Sequence, residues 1–147
     1  MDEAVDLLKR TPRQTANNLI LMDAAGARAV VELTPDNVYI RRPTSPDSTL
    51  IATNHQRGDD SDSPGLCDRY DALYAFAQEQ SGRIDSRAIE SVLDDVSQGR
   101  MTLQSMVFEP SNRVIHLAVG KNAPRNTFHR IDLKEYFNSI PVAAVTP

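Results

Sequence analysis

The chain has no tryptophan, one cysteine (Cys67), only eight residues that are Phe or Tyr, and three lysines against thirteen arginines. A single cysteine excludes an internal disulfide framework and suits a reducing compartment. The stretches of apolar residues are short, far below the roughly 20 needed to cross a bilayer, and the first ten residues, MDEAVDLLKR, open acidic rather than with a basic signal-peptide region. The arginines are scattered, and the net charge is −4 with a pI near 5.3, so there is no electrostatic footprint for nucleic acid. These absences point to a cytoplasmic protein, with neither nucleic acid nor membrane as partner. What is present is ordinary for a globular chain: 40% hydrophobic and 24% charged residues over 147 positions, enough for one domain spanning 1–147.

Along the chain the hydrophobic period changes several times. The first ten residues suit an amphipathic helix with Ala4, Leu7 and Leu8 on one face. Thr11 and Pro12 stop it. Leu19–Met22 and Ala29–Leu33 flank the turn Asp23-Ala-Ala-Gly26 and predict a hairpin, extended by Val38-Tyr39-Ile40 after the turn Thr34–Asn37. Leu50 to Thr53 reads as a fourth, short strand. Leu66, Tyr70, Leu73, Tyr74 and Ala77 recur at helical spacing. A second helix starts near Asp85, capped by Asp85 or Ser86, with Ile89, Val92, Leu93 and Val96 as its buried stripe. Thr102–Phe108 and Val114–Val119 predict a second hairpin, followed by a strand over Phe128–Leu133 and a helical turn over Lys134–Phe137. The order predicts an α+β fold, mostly antiparallel sheet with helices on one face. Several strands are continuously apolar, as in strands buried on both faces, yet few helices are available to cover a sheet twice. Something else has to complete the fold.

The stretch most suggestive of a site is LIATNHQRGDDSDSPGLCDR, from Leu50 to Arg69. A short apolar run ends in Thr53, Asn54 and His55 and passes into a turn-rich acidic loop, the layout of a site on a scaffold. Its acidic run, Asp59-Asp60-Ser61-Asp62, lacks the glycine and distal glutamate of a calcium-binding loop. His55, His116 and His129 show no paired-ligand spacing, and there is no second cysteine, so no metal is expected. Cys67 begins a helix, where a thiolate is stabilised. With His55 as base it would form a Cys-His arrangement, against the reading of an incidental thiol.

An ordered set of segments carries a resemblance: Asn18–Gly26 fits N-[NL]-x-[LI]-x-D-x-x-G, followed by VVELTP over 30–35, TNH at 53–55, and an arginine, Arg69, opening a helix. Then come T-x-x-x-x-V-x-x-P from Thr102, R-x-I-x-x-x-x-G from Arg113 and F-x-R-I-D-L from Phe128. The set, from Ala4 to about Leu133, resembles the acyl-coenzyme A:isopenicillin N acyltransferase-like family of N-terminal nucleophile (Ntn) hydrolases. The resemblance implies a four-layer αββα sandwich, of which this chain is the C-terminal half, and cleavage or transfer of an acyl group at an amide C–N bond. The family's nucleophile is a cysteine freed at a new N-terminus. Its strand lies upstream of the matched region, and neither Met1 nor Asp2 is such a nucleophile.

By the same resemblance Asn54 matches the asparagine that holds the oxyanion, and Thr34, His55 and Arg69 are candidate substrate contacts. The serine-arginine pair that precedes the Thr102 strand in penicillin acyltransferases is not reproduced in Ser97-Gln98-Gly99-Arg100, so penicillin specificity is not implied. No cofactor is implied. The implied partners are the missing N-terminal half, or a second copy in a homo-oligomer, with a small acylated amine or amino acid as substrate of the complete enzyme. An alternative is a non-catalytic α+β module that self-associates or binds a partner through its open sheet face. Residue by residue there are plainer readings as well: Asn54 as an amide bonding its own loop, His55 as a surface histidine, Thr34 as a turn residue, and Arg69 in an ion pair with Asp59, Asp60, Asp62 or Asp71.

Overall fold

Burial on both sides of one strand organises the first half of the molecule. The computed structural model describes residues 1–58 and 67–139. Helix α1 (Asp2–Arg10) is followed by strands β1 (Asn17–Met22), β2 (Arg28–Leu33) and β3 (Val38–Arg41). These pair antiparallel in the order β1-β2-β3, with Asn18 opposite Glu32 and Val31 opposite Ile40. Leu19, Leu21, Ala29, Val31, Leu33, Val38 and Ile40 point to one face and pack with Val5 of α1. In α1 the buried stripe is Met1, Val5 and Leu8, one helical turn apart, whereas Ala4 and Leu7 face outward, Leu7 being 59% exposed. The expected face was displaced by about one residue, since at 100° per residue Leu7 falls beside the Val5–Leu8 stripe rather than on it. Asp2 and Glu3 in the first turn and Lys9 and Arg10 in the last suit the helix dipole. Arg13 closes this corner, donating to the carbonyl oxygens of Leu8, Thr11, Thr34 and Asn37.

Both turns of this sheet follow from their residues. Asp23 Oδ1 accepts from the backbone N–H groups of Ala25 and Ala27, both at 3.0 Å, and Gly26 takes φ +86°, which a side chain would disfavour. Thr34 Oγ1 accepts from Asn37 N–H at 2.8 Å, fixing the second turn.

Among the described residues the other face of β2 is covered by an extended segment. That face carries Val30 and Glu32, both fully buried, and the segment 51–58 lies over it. Leu50–Thr53 is therefore not the fourth strand that its apolar run suggests. Its backbone is held by side chains instead of a ladder: Arg41 Nη2 donates to Ile51 O at 2.8 Å and Asn18 Nδ2 to Thr53 O at 2.7 Å. An extended segment whose carbonyls are met by side chains needs no neighbouring strand.

The second half contains α2 (Asp68–Glu79), α3 (Ser86–Asp95), β4 (Gln104–Glu109), β5 (Val114–Val119), β6 (His129–Asp132) and α4 (Lys134–Ser139). Strands β4-β5-β6 form a second antiparallel sheet, so the fold is α+β with two three-stranded sheets among the described residues. Asp85 is the cap of α3, its Oδ1 accepting from Ala88 N–H at 2.8 Å. Helix α3 lies against β4 and a short 3₁₀ turn, Ala123–Arg125. One face of this sheet is buried through Ser105, Val107, Val114 and Ala118. The opposite face leaves Met106, Phe108 and Val119 exposed, Phe108 by 56%. Of the α2 stripe, Tyr70 and Ala77 are buried, Leu73 is half-buried and Tyr74 is 39% exposed, while Leu66 lies outside the described residues. No helix among the described residues is long and apolar enough to cross a membrane.

Candidate functional site

The site is assembled around a glutamate in the middle of an apolar strand. Glu32 is fully buried, and its carboxylate accepts three hydrogen bonds. Oε2 receives Arg57 N–H at 2.6 Å and Gly58 N–H at 2.8 Å, and Oε1 receives Arg41 Nη2 at 3.2 Å. The buried pair Glu32–Arg41 and the bond from Arg41 to Ile51 O fix both ends of the segment 51–58 to the sheet. Arg57, also buried, stacks over the Tyr70 ring at 3.8 Å, tying the same segment to α2. A buried charge is tolerated where it is paired and its lone pairs are met, and here the partners include two backbone donors from the loop being held.

Between those fixed ends the chain bends through Thr53, Asn54 and His55. Asn18 on β1 grips the bend from below, its Nδ2 donating to Thr53 O at 2.7 Å and to His55 O at 3.1 Å. Gln56 Nε2 donates to Leu33 O at 2.6 Å. The Asn54 side chain is exposed, and no hydrogen bond engages it among the described residues. Its amide is free to donate outward.

Two cavities meet at this bend. One, of about 430 Å³, runs between the sheets and is lined by Asn18 and Ile20 of β1, Thr53 and Asn54, Arg69 and Leu73 of α2, Leu93 of α3, and Gln104 to Met106 of β4. The other, of about 600 Å³, is lined by residues 16–18 and 53–56, His55 among them. Asn18, Thr53 and Asn54 border both. A bend pinned at its carbonyls, presenting an unengaged amide to a cleft, can hold negative charge as it develops on a bound group.

Cys67 precedes α2 and faces the same bend. Its thiol is brought down to about 7. The backbone N–H of Tyr70 in the first turn of α2 does most of this; burial opposes it, and the Thr53 and His55 side chains and the Arg69 N–H add to the lowering.

Of the expected site residues, Asn54, His55 and Arg69 border the cavities, and Thr34 does not. Thr34 serves the β2–β3 turn, its hydroxyl occupied by Asn37 N–H. Arg69 forms no ion pair with Asp71 or any other described residue; Asp59, Asp60 and Asp62 lie outside the described residues. No group of three or more His, Cys, Asp or Glu among the described residues could hold a metal ion. Sequence reasoning passed over Asn18, Glu32 and Arg41. The signal for Glu32 was present: a carboxylate inside the run Val-Val-Glu-Leu is a charge placed where only a partner makes it tenable.

The family model for acyl-coenzyme A:6-aminopenicillanic acid acyl-transferase matches residues 1–124. The chain belongs to that family. The match takes in β1 to β3, the pinned bend, both long helices and the β4–β5 hairpin. Neither a curated protein nor a solved structure matches the chain. In this member of the acyl-transferase family the exposed Asn54 side chain borders the cleft, and Asn18, Glu32 and Arg41 hold the bend that carries it.

Proposed function

We propose that the chain supplies the oxyanion-holding half of a cysteine Ntn amidohydrolase or acyltransferase. In this reading the nucleophile is a cysteine on a segment outside residues 1–147, and the substrate is a small acylated amine or amino acid. The observation that carries it is the unengaged Asn54 side chain at the junction of two cavities, on a bend whose carbonyls are already occupied by Asn18. A thiolate adds to the acyl carbon, the carbonyl electron pair moves to oxygen, and Asn54 Nδ2–H donates to that oxygen. Collapse of the tetrahedral adduct then expels the amine, which takes up the proton that the thiol had given to the nucleophile's own α-amino group, and leaves a thioester for water or a second amine to open. Family membership supports the reading, as does the exposed apolar face of β4–β6, which a further segment of an αββα sandwich would cover.

The test is complementation: the chain is mixed with a segment carrying the nucleophilic cysteine, and amine release from an acylated amine is followed. Asn54→Ala is expected to lower kcat by about 10²–10³, the cost of one oxyanion donor, while Cys67→Ser retains activity. Undiminished turnover in Asn54→Ala removes the proposed role. Loss of activity in Cys67→Ser moves the nucleophile to Cys67.

A second reading rests on that same apolar face. Met106, Phe108 and Val119 form a surface through which the chain would act as a non-catalytic module, pairing with a second copy or another protein. Sedimentation of the isolated chain separates the two: a stable dimer broken by Phe108→Lys favours the module.

A further inference from the structure

The cleft between the sheets has an electrostatic character that family membership does not supply. Arg69 is the only charged residue among those lining it. Arg69 is half-buried, and its guanidinium has no carboxylate or carbonyl partner among the described residues. A half-buried arginine with no partner among the described residues keeps its fork open to an anion arriving from outside. Leu73, Leu93, Val96 and Met106 give the lining an apolar part, and the rest of it, Asn54 included, is made of uncharged polar side chains and Ala52 and Ile20. A volume of about 430 Å³ is that of a small-molecule site, and here it offers one charged anchor beside an apolar patch.

We propose that this cleft selects an N-acyl amino acid, with the carboxylate held by the Arg69 fork, the acyl chain against Leu73, Leu93 and Val96, and the amide carbonyl towards Asn54. The assignment rests on the acyl-transfer reading of Asn54. One guanidinium balances one carboxylate and matches its two oxygens in a bidentate pair. A coenzyme A thioester brings several phosphate charges, which a single cation does not balance.

The test titrates the full chain with N-hexanoylglycine, with its neutral analogue N-hexanoylglycinamide and with hexanoyl-coenzyme A, following the Arg69 side-chain Nε–H resonance and the backbone amides by NMR. The acid is expected to bind about tenfold more tightly than the carboxamide, the typical worth of a hydrogen bond to a charged group. Arg69→Gln brings the two ligands level, and Arg69→Lys, which keeps the charge without the fork, retains part of the preference. Equal affinities in the native chain, a preference that survives Arg69→Gln, or Arg69-dependent binding of hexanoyl-coenzyme A alone each overturn the assignment. The outcome is separable from the acyl-transfer reading. If the acid has no advantage but complemented turnover still needs Asn54, only the role of Arg69 fails. If the acid is preferred and Asn54→Ala leaves turnover intact, only the role of Asn54 fails.

Discussion

Replacing Glu32 by glutamine tests whether one buried carboxylate holds the site together. The substitution preserves shape but not charge or acceptor count. Oε2 accepts from Arg57 and Gly58 N–H at 2.6 and 2.8 Å, and Oε1 from Arg41 Nη2 at 3.2 Å. An amide has one oxygen. If that oxygen serves the two backbone donors, the amide nitrogen faces the Arg41 guanidinium, donor against donor. If it serves Arg41, the two loop N–H groups face the amide nitrogen instead. Either orientation removes the carboxylate charge that faces Arg41, which is only 7% exposed. Removing one member of a buried ion pair costs about 3–5 kcal/mol, a large share of a small domain's stability of roughly 5–15 kcal/mol. Urea unfolding of Glu32→Gln should show that loss as a lowered midpoint. Hydrogen exchange should show the Arg57 and Gly58 amides losing protection well before the amides of β5, since both donate to Glu32. A variant within about 1 kcal/mol of the native chain, with those two amides still protected, would refute the claim that Glu32 anchors the bend carrying Asn54.

Three further outcomes follow from local geometry. The alkylation rate of Cys67 by iodoacetamide should rise with pH to a midpoint at about 7; a midpoint near the ordinary thiol value of about 8.5 in the native chain speaks against the arrangement. The Glu109 carboxyl is held below its ordinary value by hydrogen bonds from Asn112 and then His116, so its contribution is complete above about pH 4.3 and is lost as pH falls through the lowered value. Glu109→Gln should therefore flatten the acid limb of stability against pH, and an unchanged limb counts against the contact. Val5→Ala should cost about 2 kcal/mol in thermal or urea unfolding through the lost apolar contact and the cavity left under α1. Leu7→Ala, at a site 59% exposed, should change stability by less than about 0.5 kcal/mol; the reverse ranking would mean that α1 docks through the other face.

Much of the local structure could be read from the residues because it is decided locally. The turn at Asp23–Gly26 follows from an aspartate able to accept from its own loop and a glycine at positive φ, and the α3 cap follows from Asp85. The run Leu50–Thr53 misled for the same reason: apolar content signals burial, and burial does not distinguish a strand in a ladder from a strap held by side chains. Ile51 is buried as a strand residue would be, but its carbonyl is met by Arg41.

By itself the sequence determined the α+β class, the two hairpins, and the ordered segments that relate the chain to its acyl-transferase family, because period, turn chemistry and motif order are properties of neighbouring residues. Only the tertiary structure decided that Asn54 and His55 border the cavities, that Arg69 faces a cleft with no partner among the described residues, and that Glu32 is the anchor of the bend. The contacts that hold the bend join residues far apart in the chain, Glu32 with Arg57 at 25 positions and Asn18 with His55 at 37. At such separations no local rule fixes the distance, and the packing of two sheets and a strap does.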